Sequence, residues 1–201
     1  MIPSRKGVPR NGGLKGCLLA VVWVVVLLLA TNIAAGYAFD DSPSNGFIRE
    51  LRWGAAAHDV DGLWSGESCE DGPDILAELV FNRPLFQLLA GTAYPNAGIS
   101  INTRGDTSKI YGGLLLQWEP TKSIFFSTGV GLAFHDGKRD TNGTDRKSLG
   151  SNVLFRIPVE FGVAINRHHR IIIVFDHISN AGLAQPNEGL DALGVMYGYR
   201  F

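Results

Sequence analysis

The stretch from Arg170 to Phe201, RIIIVFDHISNAGLAQPNEGLDALGVMYGYRF, holds two apolar strands joined by a turn-rich segment. Its second half alternates: Leu193, Val195, Tyr197, Tyr199 and Phe201 share one face of an extended strand, with Arg200 on the other, because successive side chains point to opposite sides. In its first half Ile171, Ile173, Phe175, His177 and Ser179 share a face, opposed by Arg170, Ile172, Val174, Asp176 and Ile178. A histidine and a serine two apart on a strand are neighbours on one surface. The imidazole could therefore take the hydroxyl proton with little rearrangement, on a surface that is otherwise aliphatic and aromatic.

The same reading extends upstream. From Phe47 onward there is no convincing helical period, only short apolar runs separated by turn residues, the pattern of an all-β chain. Eight strands are expected, at about Phe47 to Ala57, Ile75 to Phe81, Gly98 to Asn102, Ile110 to Trp118, Ser123 to Phe134, Asn152 to Ile165, Arg170 to Ser179 and Leu190 to Phe201. In the fifth, Ile124, Phe126, Val130, Leu132 and Phe134 oppose Ser127, Gly129, Gly131 and Ala133, with Phe125 out of pattern. In the sixth, Phe155, Ile157, Val159, Phe161, Val163 and Ile165 oppose Arg156, Pro158, Glu160, Gly162 and Ala164. A soluble β-sandwich keeps bulk inside and charge outside; here the small and charged residues share a face, as in a lipid-facing barrel with a narrow lumen. Links alternate as well: Glu119 to Lys122 and Asn166 to His169 are short, His135 to Gly150 and Asn180 to Gly189 long, the asymmetry of an up-and-down barrel in an outer membrane. The last strand, closing on an aromatic, resembles the C-terminal strand of bacterial outer-membrane proteins. A secreted, lipocalin-like soluble barrel is the competing fold.

The opposite end is consistent with that destination. Arg5, Lys6, Arg10 and Lys15 precede the apolar block Cys17 to Ala30, and small residues follow in Thr31 to Ala38, the layout of a secretory signal peptide. The expected division is a signal peptide over residues 1–38 and a barrel domain over 39–201; cuts near Ala34 or Ala35 also fit, and an uncleaved anchor is the alternative, since Gly16 to Phe39 carries no charge. Four of the 18 basic residues lie in the leader and no acidic one does, leaving 14 basic against 19 acidic residues. That balance disfavours nucleic acid as a partner. Cys69 is the single cysteine beyond the leader, which excludes an internal disulfide and most metal-cluster readings.

If Phe201 points to lipid, the odd-numbered residues of the last strand do too, Asp191 among them, and His177 and Ser179 point the same way. Polar groups on a lipid-facing wall are costly unless they satisfy one another near the interface. The chemistry that fits is acyl-ester hydrolysis: Ser179 attacks, His177 carries the proton, and an acid fixes the imidazole. Strand parity favours Asp191 as that acid, with Glu188 in the preceding turn as runner-up. Backbone N–H groups of the Asn180-Ala181-Gly182 turn, or the amides of Asn180 and Asn187, could hold the oxyanion. His-x-Ser spacing alone carries little weight, because it recurs by chance in many strands.

At these residues the chain resembles a known family. His177-Ile178-Ser179-Asn180-Ala181-Gly182, then Gln185-Pro186-Asn187-Glu188-Gly189 and a last strand, are similar to the lipid A 3-O-deacylase (PagL) family of Gram-negative outer membranes. The likeness is specific over about Phe175 to Tyr197 and loose elsewhere. It implies an outer-membrane barrel, surrounded by outer-membrane lipids, that removes the acyl chain ester-linked at the 3 position of lipid A in lipopolysaccharide, without metal or organic cofactor. It further implies that His177 and Ser179 match the family's catalytic histidine and serine. The family's third member is a glutamate in the last strand, and Asp191 stands at its position, one methylene shorter. A homodimer stays open.

Other residues read more plainly. His135, His168 and His169 have no convincing partner ligands for a metal. Arg156 and Glu160 are expected to pair in the lumen, with Asp176 joining them. Trp53, Trp118, Tyr197 and Tyr199 suit interfacial aromatic belts, and Lys138, Arg139, Arg146 and Lys147 suit either phosphates of lipid A or solvent. The alternative function is a non-catalytic small outer-membrane barrel, structural or adhesive, of the OmpA or OmpX type. A third is a phospholipid hydrolase or acyltransferase built on the same wall.

Overall fold

A computed structural model describes residues 46–201; the expected leader lies outside the described residues. Nine strands follow one another: β1 (Ile48–Ala57), β2 (Pro73–Phe81), β3 (Phe86–Leu88), β4 (Gly91–Asn102), β5 (Lys109–Trp118), β6 (Ile124–His135), β7 (Val153–Ala164), β8 (His169–Ser179) and β9 (Leu190–Arg200). Eight of them form the wall. Consecutive strands from β4 to β9 pair antiparallel, β9 pairs with β1, β1 with β2, and β2 with β4, which closes the sheet. The short β3 folds back on the start of β4 as a hairpin. Closure leaves no free edge.

The eight-strand, up-and-down barrel expected from the sequence is thus the observed fold. Most boundaries agree within two residues, but β4 begins at Gly91 rather than near Gly98 and the short β3 falls between expected strands. Ala93, Pro95 and Asn96 weaken the strand signal locally, and proline gives up a ladder hydrogen bond. Here neighbours on both sides override that weakness, with Thr92 to Ser100 registered against β5 and Asn96 to Asn102 against β2.

At one rim lie the turns 82–90, 119–123 and 165–168. At the other lie the first loop (58–72), second loop (103–108), third loop (136–152) and fourth loop (180–189). Between the rims the outer face carries exposed Ile99, Ile110, Phe126, Val130, Leu132, Phe155 and Val159, an apolar band of the kind a bilayer requires. Inward positions mix small and polar residues with packed apolar ones such as Leu76, Leu115, Ile172, Val174 and Met196. Phe125, out of pattern in the sequence, points inward, where Gly162 makes room for it: a Cβ at Gly162 would lie 2.0 Å from the ring.

The lumen is filled by charge as well as by apolar packing. Arg52 meets Glu50 at 2.7 Å, Glu78 at 3.0 Å and Glu160 at 3.0 Å, all fully buried. Asp176 binds Arg156 at 2.6 Å and Lys109 at 2.8 Å, and the Arg156 guanidinium lies 3.7 Å from the centre of the Tyr111 ring. The expected pairing of Arg156 with Glu160 is corrected here. Residues four apart on a strand are separated by roughly 13 Å, so each finds another partner: Glu160 meets Arg52 across the lumen, and Arg156 meets Asp176 on the neighbouring β8. Asp176 joins the network as expected.

Candidate active site

β8 and β9 bring the reactive residues together through register. His177 lies directly opposite Asp191, and cross-strand partners are close enough for short side chains to meet. His177 Nδ1 is 2.6 Å from Asp191 Oδ1, and His177 Nε2 is 2.9 Å from Ser179 Oγ. A carboxylate only accepts, so Nδ1 carries the hydrogen and Nε2 is free to accept from the serine hydroxyl. The missing methylene at position 191 is thus accommodated: an aspartate reaches because it sits opposite the histidine.

Parity puts all three on the outer wall, yet the site is not bare to lipid. Asp191 is fully buried and His177 nearly so, while Ser179 is half-buried. The cover comes from the first loop. Trp64 sets its ring edge-on to His177 and Phe175, at centroid distances of 5.1 and 5.4 Å. The backbone N–H of Ser65 donates to Asp191 Oδ2 at 2.7 Å, and Ser65 Oγ lies 3.4 Å from His177 Nδ1. The N–H of Val60 donates to the Asp191 carbonyl at 2.9 Å. Gly189, at φ +67°, leaves space: a Cβ there would stand 3.0 Å from Ser65 Oγ and 3.3 Å from His177 Cε1.

The first loop is itself anchored. Lys147 of the third loop is buried, with Nζ on the carbonyls of Ser65 (3.1 Å) and Glu67 and 3.5 Å from Asp59 Oδ1. Asp59 accepts the N–H groups of Cys69 and Glu70. Glu70 accepts from Thr107 and from the Lys147 N–H. His58 bridges Glu70 Oε2 at 2.9 Å and Asp74 at 2.9 Å. Burial pulls the His58 imidazole down, but those two carboxylates outweigh it and hold the pKa at about 9. Burial likewise raises Glu70, and the hydrogen bonds from His58, Thr107 and Lys147 bring it down to about 2.

The remaining candidates sit in the fourth loop. The buried Asn180 donates its N–H to Asn187 Oδ1 and its side-chain NH2 to the carbonyls of Leu149 and Pro186, and accepts from Gly182 N–H. Its donors, and that of Gly182, therefore organise the loop rather than point at a reacting atom. Asn187 is engaged through its oxygen, and among the described residues its NH2 meets no partner. Glu188 accepts from the Ser148 N–H, tying the fourth loop to the third; its carboxylate is not part of the chain of bonds through His177. Lys147, read from sequence as a contact for phosphates or solvent, is buried as an internal tie, and Arg146 pairs with Asp106 at 3.0 Å. Trp64, Ser65, His58 and Lys147 as site elements were not legible: the first two lie in an Asp- and Gly-rich turn, and nothing local separates Lys147 from its basic neighbours. Among the described residues no group of three or more His, Cys, Asp or Glu side chains is arranged to hold a metal ion.

Comparisons with known proteins converge on one family. The family model described as lipid A 3-O-deacylase (PagL) matches residues 87–200. Two curated relatives are each called lipid A deacylase PagL. The one from Bordetella bronchiseptica is 28% identical over 87 residues, 43% of this chain and 47% of that protein. The one from Pseudomonas aeruginosa is 30% identical over 73 residues, 36% of this chain and 40% of that protein. The chain thus aligns with less than half the length of either. A crystal structure of the outer membrane enzyme PagL superposes with a TM-score of 0.57, covering 76% of this chain and 99% of that one at 22% identity, a likeness of fold.

Proposed function

The chain belongs to the lipid A 3-O-deacylase (PagL) family, and from that premise we propose that it is an esterase of the bacterial outer membrane that hydrolyses the 3-O-linked acyl chain of lipid A. The observation that carries the reading is the hydrogen-bonded line from Ser179 through His177 to Asp191, facing outward at the loop rim of the barrel.

In the proposed mechanism Ser179 Oγ attacks the ester carbonyl while its proton passes to His177 Nε2. Asp191 holds the Nδ1–H tautomer and stabilises the imidazolium that forms. The oxyanion of the tetrahedral intermediate is met by the Asn187 NH2 or the Ala181 N–H, the candidate donors that the fourth loop does not itself consume. Collapse returns the proton from His177 to the departing sugar hydroxyl and leaves an acyl-serine. Water, deprotonated by the same nitrogen, then releases the fatty acid. No step calls on a cofactor. A signal peptide cut near Ala38 completes the reading, and the mass of the mature chain tests it.

The deciding experiment is mass spectrometry of lipid A from cells producing the wild-type chain or Ser179→Ala. Loss of one 3-linked acyl chain with wild type alone is the expected result. Unchanged lipid A in both, with the barrel folded, would exclude the deacylase and favour the non-catalytic barrel. Loss of acyl chains from phospholipid instead would identify the other esterase.

A further inference from the structure

The acid of the candidate triad has two oxygens, and only one faces the histidine. The other is held by a backbone N–H from a different element, at Ser65. A loop that grips a carboxylate with a peptide group fixes its orientation only if that peptide is itself immobile. The peptide before it bears the Trp64 ring that packs on His177; the one after it, through the Ser65 carbonyl, accepts from a buried ammonium. Gly62 and Gly66 both adopt positive φ, so the segment between them is a tight reversal, closed by the Gly62 N–H to Gly66 carbonyl bond at 3.1 Å.

We propose that Lys147 is a positioning residue for Asp191: its ammonium, reaching from the third loop, fastens the Trp64-Ser65 segment so that the Ser65 N–H locks the acid against His177. This rests on the triad reading. The chemistry favours lysine for the task. An ammonium offers three donors, here directed at the Ser65 carbonyl, the Glu67 carbonyl and the Asp59 carboxylate. Asp59 balances the buried charge and at the same time collects the N–H groups of Cys69 and Glu70, so one ion pair closes the loop from both ends. Lys147 lies off the reacting atoms and acts through the loop it fastens.

The test uses the full chain, refolded in detergent, and two readouts: labelling of Ser179 by a fluorophosphonate, which needs the triad but not the natural substrate, and release of fatty acid from lipid A. Four proteins are compared: wild type, Lys147→Met, Asp191→Ala and the double variant. Lys147→Met should slow labelling and lower kcat by between about 10- and 100-fold, the usual cost of a misplacement near 1 Å, with KM little changed. In the Asp191→Ala background the same substitution should have no further effect, because the carboxylate it positions is gone. Should the unpaired Asp59 prevent folding, Lys147→Met with Asp59→Asn removes both charges and should show the same slowing. Labelling of Lys147→Met at the wild-type rate would overturn the proposal, and so would an equal loss in the Asp191→Ala background, which marks a general structural role. Wild-type protein that labels but leaves lipid A intact would sink the substrate assignment alone, and the labelling comparison would still decide the role of Lys147.

Discussion

A single methylene separates aspartate from glutamate, and at position 191 the register of two strands absorbs the difference. His177 and Asp191 face each other directly, so the shorter acid meets Nδ1 at 2.6 Å. Asp191→Ala is expected to lower the deacylation rate by about 10³- to 10⁴-fold, measured as fatty acid released from lipid A. Glu188→Ala should leave most of that rate, since Glu188 is bonded to the third loop. The reverse ranking would move the acid to Glu188. Period-two alternation made the shared face of His177, Ser179 and Asp191 legible in the sequence, because parity survives any error in strand ends. It could not show that Ser65 meets the second oxygen of Asp191. That contact spans 126 positions, depends on the fold of a loop, and leaves no periodic trace.

Among the elements, the first loop departs furthest from what its composition foretells. Rich in Asp and Gly, it reads as a solvated connection, yet it is tied to strands and loops on every side. Strands are written by alternation; loops are held by single hydrogen bonds that no period encodes. His58 is the hinge of this anchoring. To donate to Glu70 and Asp74 at once it must carry both ring hydrogens, consistent with a pKa held at about 9. A raised histidine pKa means that its contribution is complete below the ordinary value of 6.5 and is lost as pH rises through about 9. Glu70 works in the opposite sense, contributing above its ordinary 4.5 and losing that contribution as pH falls toward 2. Protection factors in residues 58–72, with the intrinsic pH dependence of amide exchange divided out, should therefore be high near neutrality and fall above pH 9, while the strands keep theirs. In His58→Gln, protection should be lower already at pH 7 and lose its fall near pH 9. A wild-type loop whose protection factors stay constant between pH 7 and 10 would refute this.

For the molecule as a whole, the lumen decides how much the barrel can tolerate. Its centre is a set of charges that balance only together: Arg52 among Glu50, Glu78 and Glu160, Arg170 beside Glu50, and Asp176 between Arg156 and Lys109. Removing one member leaves the rest uncompensated and far from water. Arg52→Met is expected to destabilise the folded barrel by about 3–5 kcal/mol, read from the urea midpoint of the refolded protein; an unchanged midpoint would mean that the carboxylates take up protons at little cost. The closed sheet was legible from alternation and loop lengths, and so was the charged interior. Which charges pair was not, because partners lie along a strand, as Glu50 does for Arg52, on the next strand, as Asp176 does for Arg156, and across the lumen, as Glu160 does for Arg52.

The half-buried Ser179 opens sideways, from the wall of the barrel, rather than into a pocket that faces water. Under the proposed function its substrate arrives by lateral diffusion within a leaflet, so the quantity that saturates the enzyme is a surface density. Adding inert detergent to mixed micelles at constant total lipid A should then slow turnover, by thinning the substrate on the surface the protein samples.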